Sequence, residues 1–250
     1  MSTEIYPVHI GIGCCYVIKD KGVIMVDGGV KNKSDELLQG IANIPIKREE
    51  IQLLVITHGH WDHTGSVKEI QELTGARIAM HEKEKKWLEE GVTPVPPGVN
   101  LWGKILAGVM GIIPGLDRVP AASVDIVLDD NGFSLEEFGV AGRVIPTPGH
   151  SSGSVSVLLD SGEAFVGDLA MNMFPLRIGP GLPVFADDIS LVKKSWKMLL
   201  DQGATVVYPA HGKPFSADVI KKAISYPDIL TSPALLQATA KEKNKSCPFE

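Results

Sequence analysis

Cysteine is scarce in this chain: three in 250 residues, with Cys14 and Cys15 adjacent. Neighbouring cysteines are poorly placed to bridge, and no Cys-x-x-Cys occurs, so a disulfide scaffold is excluded and a reducing compartment fits. Cys14 and Cys15 read as small strand residues. Basic charge is also short, 24 Lys and Arg against 30 Asp and Glu, for a net charge of −6. With no basic run except the end at 241–245, a general nucleic-acid binder is excluded. No apolar run reaches the ~20 residues of a bilayer span. The first residues lack the basic flank and apolar stretch of a leader. The expectation is a cytoplasmic protein without membrane contact. Hydrophobic residues make up 44% of the chain, ample for the core of a single domain over 1–250.

Histidine is rare as well, seven in all, yet three fall within six residues. They lie in Thr57-His58-Gly59-His60-Trp61-Asp62-His63-Thr64-Gly65. The run Ile51-Gln52-Leu53-Leu54-Val55-Ile56 before it reads as a buried strand, and helical spacing begins after Gly65. The cluster therefore sits where a strand ends and a helix starts, a common place for sites in α/β proteins. On an extended backbone His58 and His60 face the same side; Asp62 continues that parity and His63 breaks it. Four ligands so close can hardly serve one tetrahedral ion, but two neighbouring ions could share them.

The same arrangement recurs along the chain. Tyr16-Val17-Ile18 and Val23-Ile24-Met25-Val26 suggest a hairpin, and the second strand ends in Asp27-Gly28-Gly29. Asp27 is either a turn former or an acceptor behind a metal-bound imidazole. Helices are predicted at about 35–43, 65–74, 82–90, 188–200 and 217–225, with strands at 77–80, 125–128, 143–147, 154–159, 164–167 and 205–208. The helix at 82–90 is rich in Glu and Lys and reads as polar. Three more strand ends carry polar residues: His150 in Thr147-Pro148-Gly149-His150, Asp168 after Gly167, and His211 in Pro209-Ala210-His211-Gly212. His9 and His81 stand alone and are left out of the site. Strands on both halves with helices between them point to two stacked sheets with helices outside.

Residues 91–121 break the pattern as an apolar, lid-like insertion. The stretch 101–116 carries one charge; it reads as a buried connector, a lid or wall over the site, or a surface for a membrane or partner chain. Trp102 and Met110 would suit a substrate with an apolar part. A second Pro/Gly-rich loop covers 171–186. Residues 227–250 form a C-terminal tail expected to hold one short helix. A homodimer stays open.

Collected, His58, His60, Asp62, His63, His150, Asp168 and His211 all follow predicted strands. They are hard or borderline ligands, enough for two divalent ions: zinc, with iron or manganese as alternatives. An ion pair of this kind holds a water whose pKa falls towards ~7, giving a bridging hydroxide at neutral pH, and polarises a carbonyl or phosphoryl oxygen. A metal-assisted hydrolase is the expectation.

On these motifs, spread in order over about residues 8–215, the chain resembles the metallo-β-lactamase-fold hydrolases. The resemblance implies an α+β architecture, a four-layer αββα sandwich. It implies His58, His60 and His150 on one ion, Asp62, His63 and His211 on a second, and Asp168 between them. It also implies that Asp27 supports a ligand from behind. Asp62 would both ligate and hydrogen-bond the attacking water, making it the candidate for proton handling. The zinc β-lactamases usually carry Cys where Asp168 stands and are secreted, so β-lactam hydrolysis is at most a low-level activity. Glyoxalase II-type thioesterases share the 58–65 motif but add a longer C-terminal glutathione-binding region. Quorum-signal lactonases usually place a Tyr shortly after the bridging Asp; here Asn172 is the polar residue on offer. The expected substrate is a small ester, thioester, lactone or phosphoester. The alternative from another reaction class is a mononuclear-iron persulfide dioxygenase.

Overall fold

In the run Val23-Ile24-Met25-Val26 every residue is apolar and buried. Successive side chains on a strand point to opposite faces, so an unbroken apolar run implies cover on both sides. Val23 and Met25 pack into one core cluster, Ile24 and Val26 into another.

A computed structural model, which describes residues 3–224, places this strand in a six-stranded sheet. Its strands, in spatial order, are β1 (Glu4–Ile10), β2 (Gly13–Lys19), β3 (Val23–Val26), β4 (Ile51–Val55), β5 (Arg77–His81) and β6 (Ile126–Leu128). β1, β2 and β3 pair antiparallel, including the predicted hairpin, and β3 to β6 run parallel. The second half of the chain builds β7 (Phe133–Ser134), β8 (Gly142–Pro146), β9 (Val155–Leu159) and β10 (Glu163–Gly167). A small hairpin, β11 (Arg177–Ile178) with β12 (Leu182–Pro183), precedes β13 (Val206–Pro209) and β14 (Phe215–Ser216). The second six-stranded sheet has the order β14-β13-β10-β9-β8-β7.

Helices α1 (Ser34–Ala42), α2 (Trp61–Thr64), α3 (Val67–Thr74), α4 (Lys85–Glu90), α5 (Leu101–Gly111), α6 (Ile189–Asp201) and α7 (Asp218–Ile224) complete the fold. Leu37 and Ile41 of α1 and Ile70 of α3 share a core with Met25 and Leu54 on the outer face of the first sheet. Ile24, Leu53, Val144, Val157 and Phe165 fill the space between the sheets. Val192, Trp196 and Leu199 of α6 pack with Val166 and Ile220 on the outer face of the second. Three cores separate four layers, the expected αββα sandwich of the α+β class. The α6 face follows the predicted spacing, and Asp188 caps it by accepting from the N–H groups of Ser190 and Leu191.

The stretch 101–116 is not a buried connector. Leu101 is 76% and Ile112 79% exposed, and Trp102, Ile105 and Val109 are also largely open to solvent. The helix α5 is tethered at its foot, where Trp102 Nε1 donates to Pro175 O and Val99 N to Val184 O. Gly103 allows this approach, since a Cβ there would lie 2.3 Å from Val184 O. Among the described residues no helix is long and apolar enough to cross a membrane. The tail at 227–250, the basic run and Cys247 lie outside the described residues.

Candidate functional site

The two sheets meet along the carboxyl ends of β3, β4, β8, β10 and β13, and backbone hydrogen bonds stitch them together there. Val155 N donates to Thr57 O, and Cys14 N donates to Ala210 O. Behind the edge, α6 holds the loops that leave the second sheet. Ser195 Oγ donates to Pro148 O beside His150, and Trp196 Nε1 donates to Leu169 O beside Asp168. Gly167 must turn with φ +53, and a Cβ there would sit 2.4 Å from Thr57 Oγ1. Glycine at that position lets the second sheet's strand end reach the first sheet's.

The orientation of four imidazoles follows from what holds their other nitrogen. His63 Nδ1 lies 2.8 Å from the Asp27 carboxylate, His150 Nδ1 2.8 Å from Phe185 O, and His211 Nδ1 3.1 Å from Ile12 O. All three acceptors lack protons, so each Nδ1 must be the donor. Thr57 gives its one hydroxyl proton to the Asp27 carboxylate, at 2.8 and 2.9 Å. Its oxygen can then only accept from His58 Nδ1, 3.1 Å away. Each of the four rings is left with an Nε2 facing the centre; His58 Nε2 accepts and donates no hydrogen bond, and His63 Nε2 faces the Asp168 carboxylate at 3.3 Å. His60 instead presents Nδ1, 3.0 Å from His150 Nε2. Two lone pairs that close repel unless a cation or a shared proton lies between them.

The seven residues expected from the sequence come together. Three sets place their ligand atoms within 4.8 Å of one another: His58, His60 and His150; Asp62, His63 and His211; and His58, His63 and Asp168. Asp168 spans the first two sets. Its Oδ1 lies 3.3 Å from His63 Nε2 and 3.4 Å from His211 Nε2, and its Oδ2 lies 3.7 Å from His150 Nε2. Asp168 Oδ1 is also buried without a hydrogen-bond donor. Unsatisfied buried nitrogens and a carboxylate oxygen converging in this way are costly for a protein alone and fit divalent cations.

Burial and neighbours split the histidines into two kinds. Burial, with the charge of His150, presses His60 down to about 3, and burial with His63 and His150 holds His58 well below the usual imidazole range. Burial also opposes charge on His211 and His63. There the carboxylates win: Asp168 and Asp62 lift His211 to about 9, and Asp27 and Asp168 hold His63 well above its ordinary value. Asp168 is pushed below the usual carboxylate range because the charges of His211 and His63 outweigh its burial. Both directions favour protons on His63 and His211 in the metal-free site, which an ion would displace. Loading zinc at pH 7.5 should release about two protons per chain, read as a buffer-dependent binding enthalpy. An enthalpy independent of buffer would contradict these proton positions.

Three expectations change in detail. Asp62 does not continue an extended parity: His60 is the last extended residue, with φ −74 and ψ 156, and residues 61–64 form the single helical turn α2. That turn carries Asp62 and His63 to the set shared with His211. Asn172 is not free to face a substrate, because its amide donates to Lys213 O and accepts from Arg177. Asp27 is both a turn former and an acceptor: it sits at φ 64 and takes hydrogen bonds from Thr57 and His63. His81 is buried beside Asp130 and His9 is exposed; neither joins the cluster. Two residues went unnoticed. Thr57 is only the first residue of the strand-end motif, and Glu84 falls in a segment marked by nothing but its Glu and Lys content.

Residues 11–211 match the metallo-beta-lactamase superfamily. A metallo-beta-lactamase fold-containing protein of Sulfurisphaera tokodaii is 28% identical over 208 residues, covering 81% of this chain and 73% of that protein. A probable metallo-hydrolase of Streptococcus pyogenes serotype M6 is 30% identical over 214 residues, covering 82% of this chain and 81% of its own length. Among solved structures, a subclass B3 metallo-beta-lactamase of Bradyrhizobium japonicum superposes with a TM-score of 0.62 at 21% identity, over 95% of this chain and 89% of that one. At that identity the likeness speaks for the fold alone. Family match, relatives and a histidine–aspartate cluster suited to metal ions agree: the chain belongs to the metallo-beta-lactamase superfamily and is a metallo-hydrolase of it.

Proposed function

We propose that the chain is a dinuclear metal hydrolase acting on a small ester, thioester, lactone or phosphoester with an apolar part. The observation that carries the reading is Asp168. It aims one oxygen at His150 of the first set and the other at His63 and His211 of the second. In this reading His58, His60 and His150 hold one zinc ion, Asp62, His63 and His211 hold another, and Asp168 joins them. Bound there, divalent ions would polarise the substrate's carbonyl or phosphoryl oxygen and ionise water at neutral pH.

The chain's own groups do the rest. Phe185 O, Ile12 O, Asp27 and Thr57 fix the tautomers of His150, His211, His63 and His58, so none of these four imidazoles has to reorient when a substrate arrives. Asp62 is the member of the seven that solvent reaches most, at 11% side-chain exposure. That position suits a carboxylate that takes a proton from attacking water and passes it outward. Two free buried cysteines, Cys14 and Cys15, suit the cytosol as its compartment.

The apolar part of the substrate would lie under α5 and beside Phe174, which is 83% exposed. Replacing residues 101–113 with a short Gly-Ser linker should raise KM about tenfold for long-chain esters and leave short-chain KM nearly unchanged, the loss of one apolar side chain's burial. An equal effect on both chain lengths would remove the apolar-pocket idea. The function itself is tested with zinc-loaded protein on a panel of ester, thioester, lactone, phosphodiester and β-lactam substrates. Hydrolysis of one of the first four supports it. A coloured one-iron protein that consumes oxygen on a persulfide would overturn it in favour of the dioxygenase.

A further inference from the structure

Glu84 is a carboxylate with no solvent exposure, placed immediately before α4. Its Oε2 accepts the N–H of Gly59 at 2.6 Å, and its Oε1 accepts the N–H of Gly153 at 2.7 Å. Gly59 stands between His58 and His60. Gly153 lies three residues past His150. One side chain thus joins two loops from different sheets, and those loops carry all three members of the first histidine set.

The fit is close on both sides. A Cβ at Gly59 would come within 2.5 Å of Trp87, and one at Gly153 within 2.8 Å of Glu84 Cγ. Trp87, one turn along α4, lays its ring parallel to His60, with 7° between planes and centroids 6.5 Å apart. A buried carboxylate is costly unless hydrogen-bonded and offset by positive charge. The Glu84 oxygens meet backbone amides, and the loops that supply those amides carry the three-histidine set.

We propose that Glu84 is a positioning residue for the ion on His58, His60 and His150. It keeps the His58–His60 loop and the His150 loop in register, and its charge favours a cation between them. The inference rests on reading that set as an ion site. Because coupling is reciprocal, an ion there also steadies the Glu84 clamp.

The test is a zinc titration, against a competing chelator, of metal-depleted wild type, Glu84→Gln and Gly153→Ala. His60→Ala identifies the binding step that belongs to the first set. Glutamine keeps the shape, but its amide nitrogen cannot accept, so one loop loses its acceptor. Gly153→Ala displaces Glu84 without removing its charge. Both variants should weaken the His60-dependent step about 10–100-fold and leave the other step within about threefold, the usual range for partners that support metal ligands. Unchanged binding overturns the proposal, and so does equal weakening of both steps, which would mark Glu84 as general scaffolding. Wild type that takes up no zinc overturns the ion reading, and this one with it. If the variants do not fold, amide exchange in wild type decides. Gly59 and Gly153 amides should be protected without metal and slowed further by zinc; fast or zinc-independent exchange contradicts the clamp.

Discussion

Replacing Asp168 with alanine should remove one of two bound zinc ions and lower kcat/KM by on the order of a thousandfold or more, about 4 kcal/mol. The carboxylate is nearly buried and, among the described residues, touches no cation other than imidazoles, with Oδ1 near His63 and His211 and Oδ2 near His150. Two divalent ions roughly 3.5–4 Å apart repel strongly, and an anion between them is what makes the pair tolerable. Alanine removes that anion, so the second ion should go and the first remain. Asparagine keeps the shape and one oxygen but not the charge, so Asp168→Asn should fall between wild type and Asp168→Ala in zinc content. Full activity with unchanged zinc content would show that Asp168 does not join the two sets.

The second large effect is expected at Asp27, and it concerns stability as well as metal. Its carboxylate accepts from Thr57 N at 2.8 Å, from the Thr57 hydroxyl and from His63 Nδ1. The residue also sits at φ 64, where side chains other than those of Asn and Asp are strained. Asp27→Ala strands buried donors and adds backbone strain, a loss of about 3–5 kcal/mol. For a chain of this size that lowers Tm by roughly 6–20 °C. Asp27→Asn tolerates the backbone but carries no charge to hold the proton on His63 Nδ1. The ring can then take the other tautomer, with Nε2 protonated and unable to bind metal. Asp27→Asn should therefore keep most of the stability and lose the ion of the Asp62–His63–His211 set. Equal Tm losses in both variants with zinc retained would contradict this assignment.

The seven cluster residues were legible because each follows a run of strand residues, and strand ends of stacked sheets gather at one edge. His150, Asp168 and His211 are far apart in sequence, yet each could be placed by that rule alone. The four layers were legible too, since continuous apolar runs such as Val23–Val26 need cover on both faces. What stayed hidden depended on single contacts. Glu84 sits among Lys83, Lys85 and Lys86 in a segment rich in Glu and Lys, where nothing in the spacing singles it out, and only packing shows it closed off by Gly59 and Gly153. Thr57 does its work through one hydroxyl proton, which no spacing reveals. The parity argument held through His60 and then failed at Asp62, because a single helical turn can start at any residue whose backbone is free to turn. Residues 101–116 left three readings open, and exposure removes one of them. Apolar composition alone does not separate a connector from a lid or a partner surface; the structure excludes the connector, with the stretch anchored near Gly103 and at Gly115 and its apolar side chains open to solvent between.

The most direct measurement is the zinc stoichiometry of metal-depleted protein reloaded at neutral pH, with wild type beside Asp168→Ala. The account predicts two ions per chain for wild type and close to one for the variant. A wild-type chain that binds one ion or none, or an Asp168→Ala chain that still binds two, would contradict it.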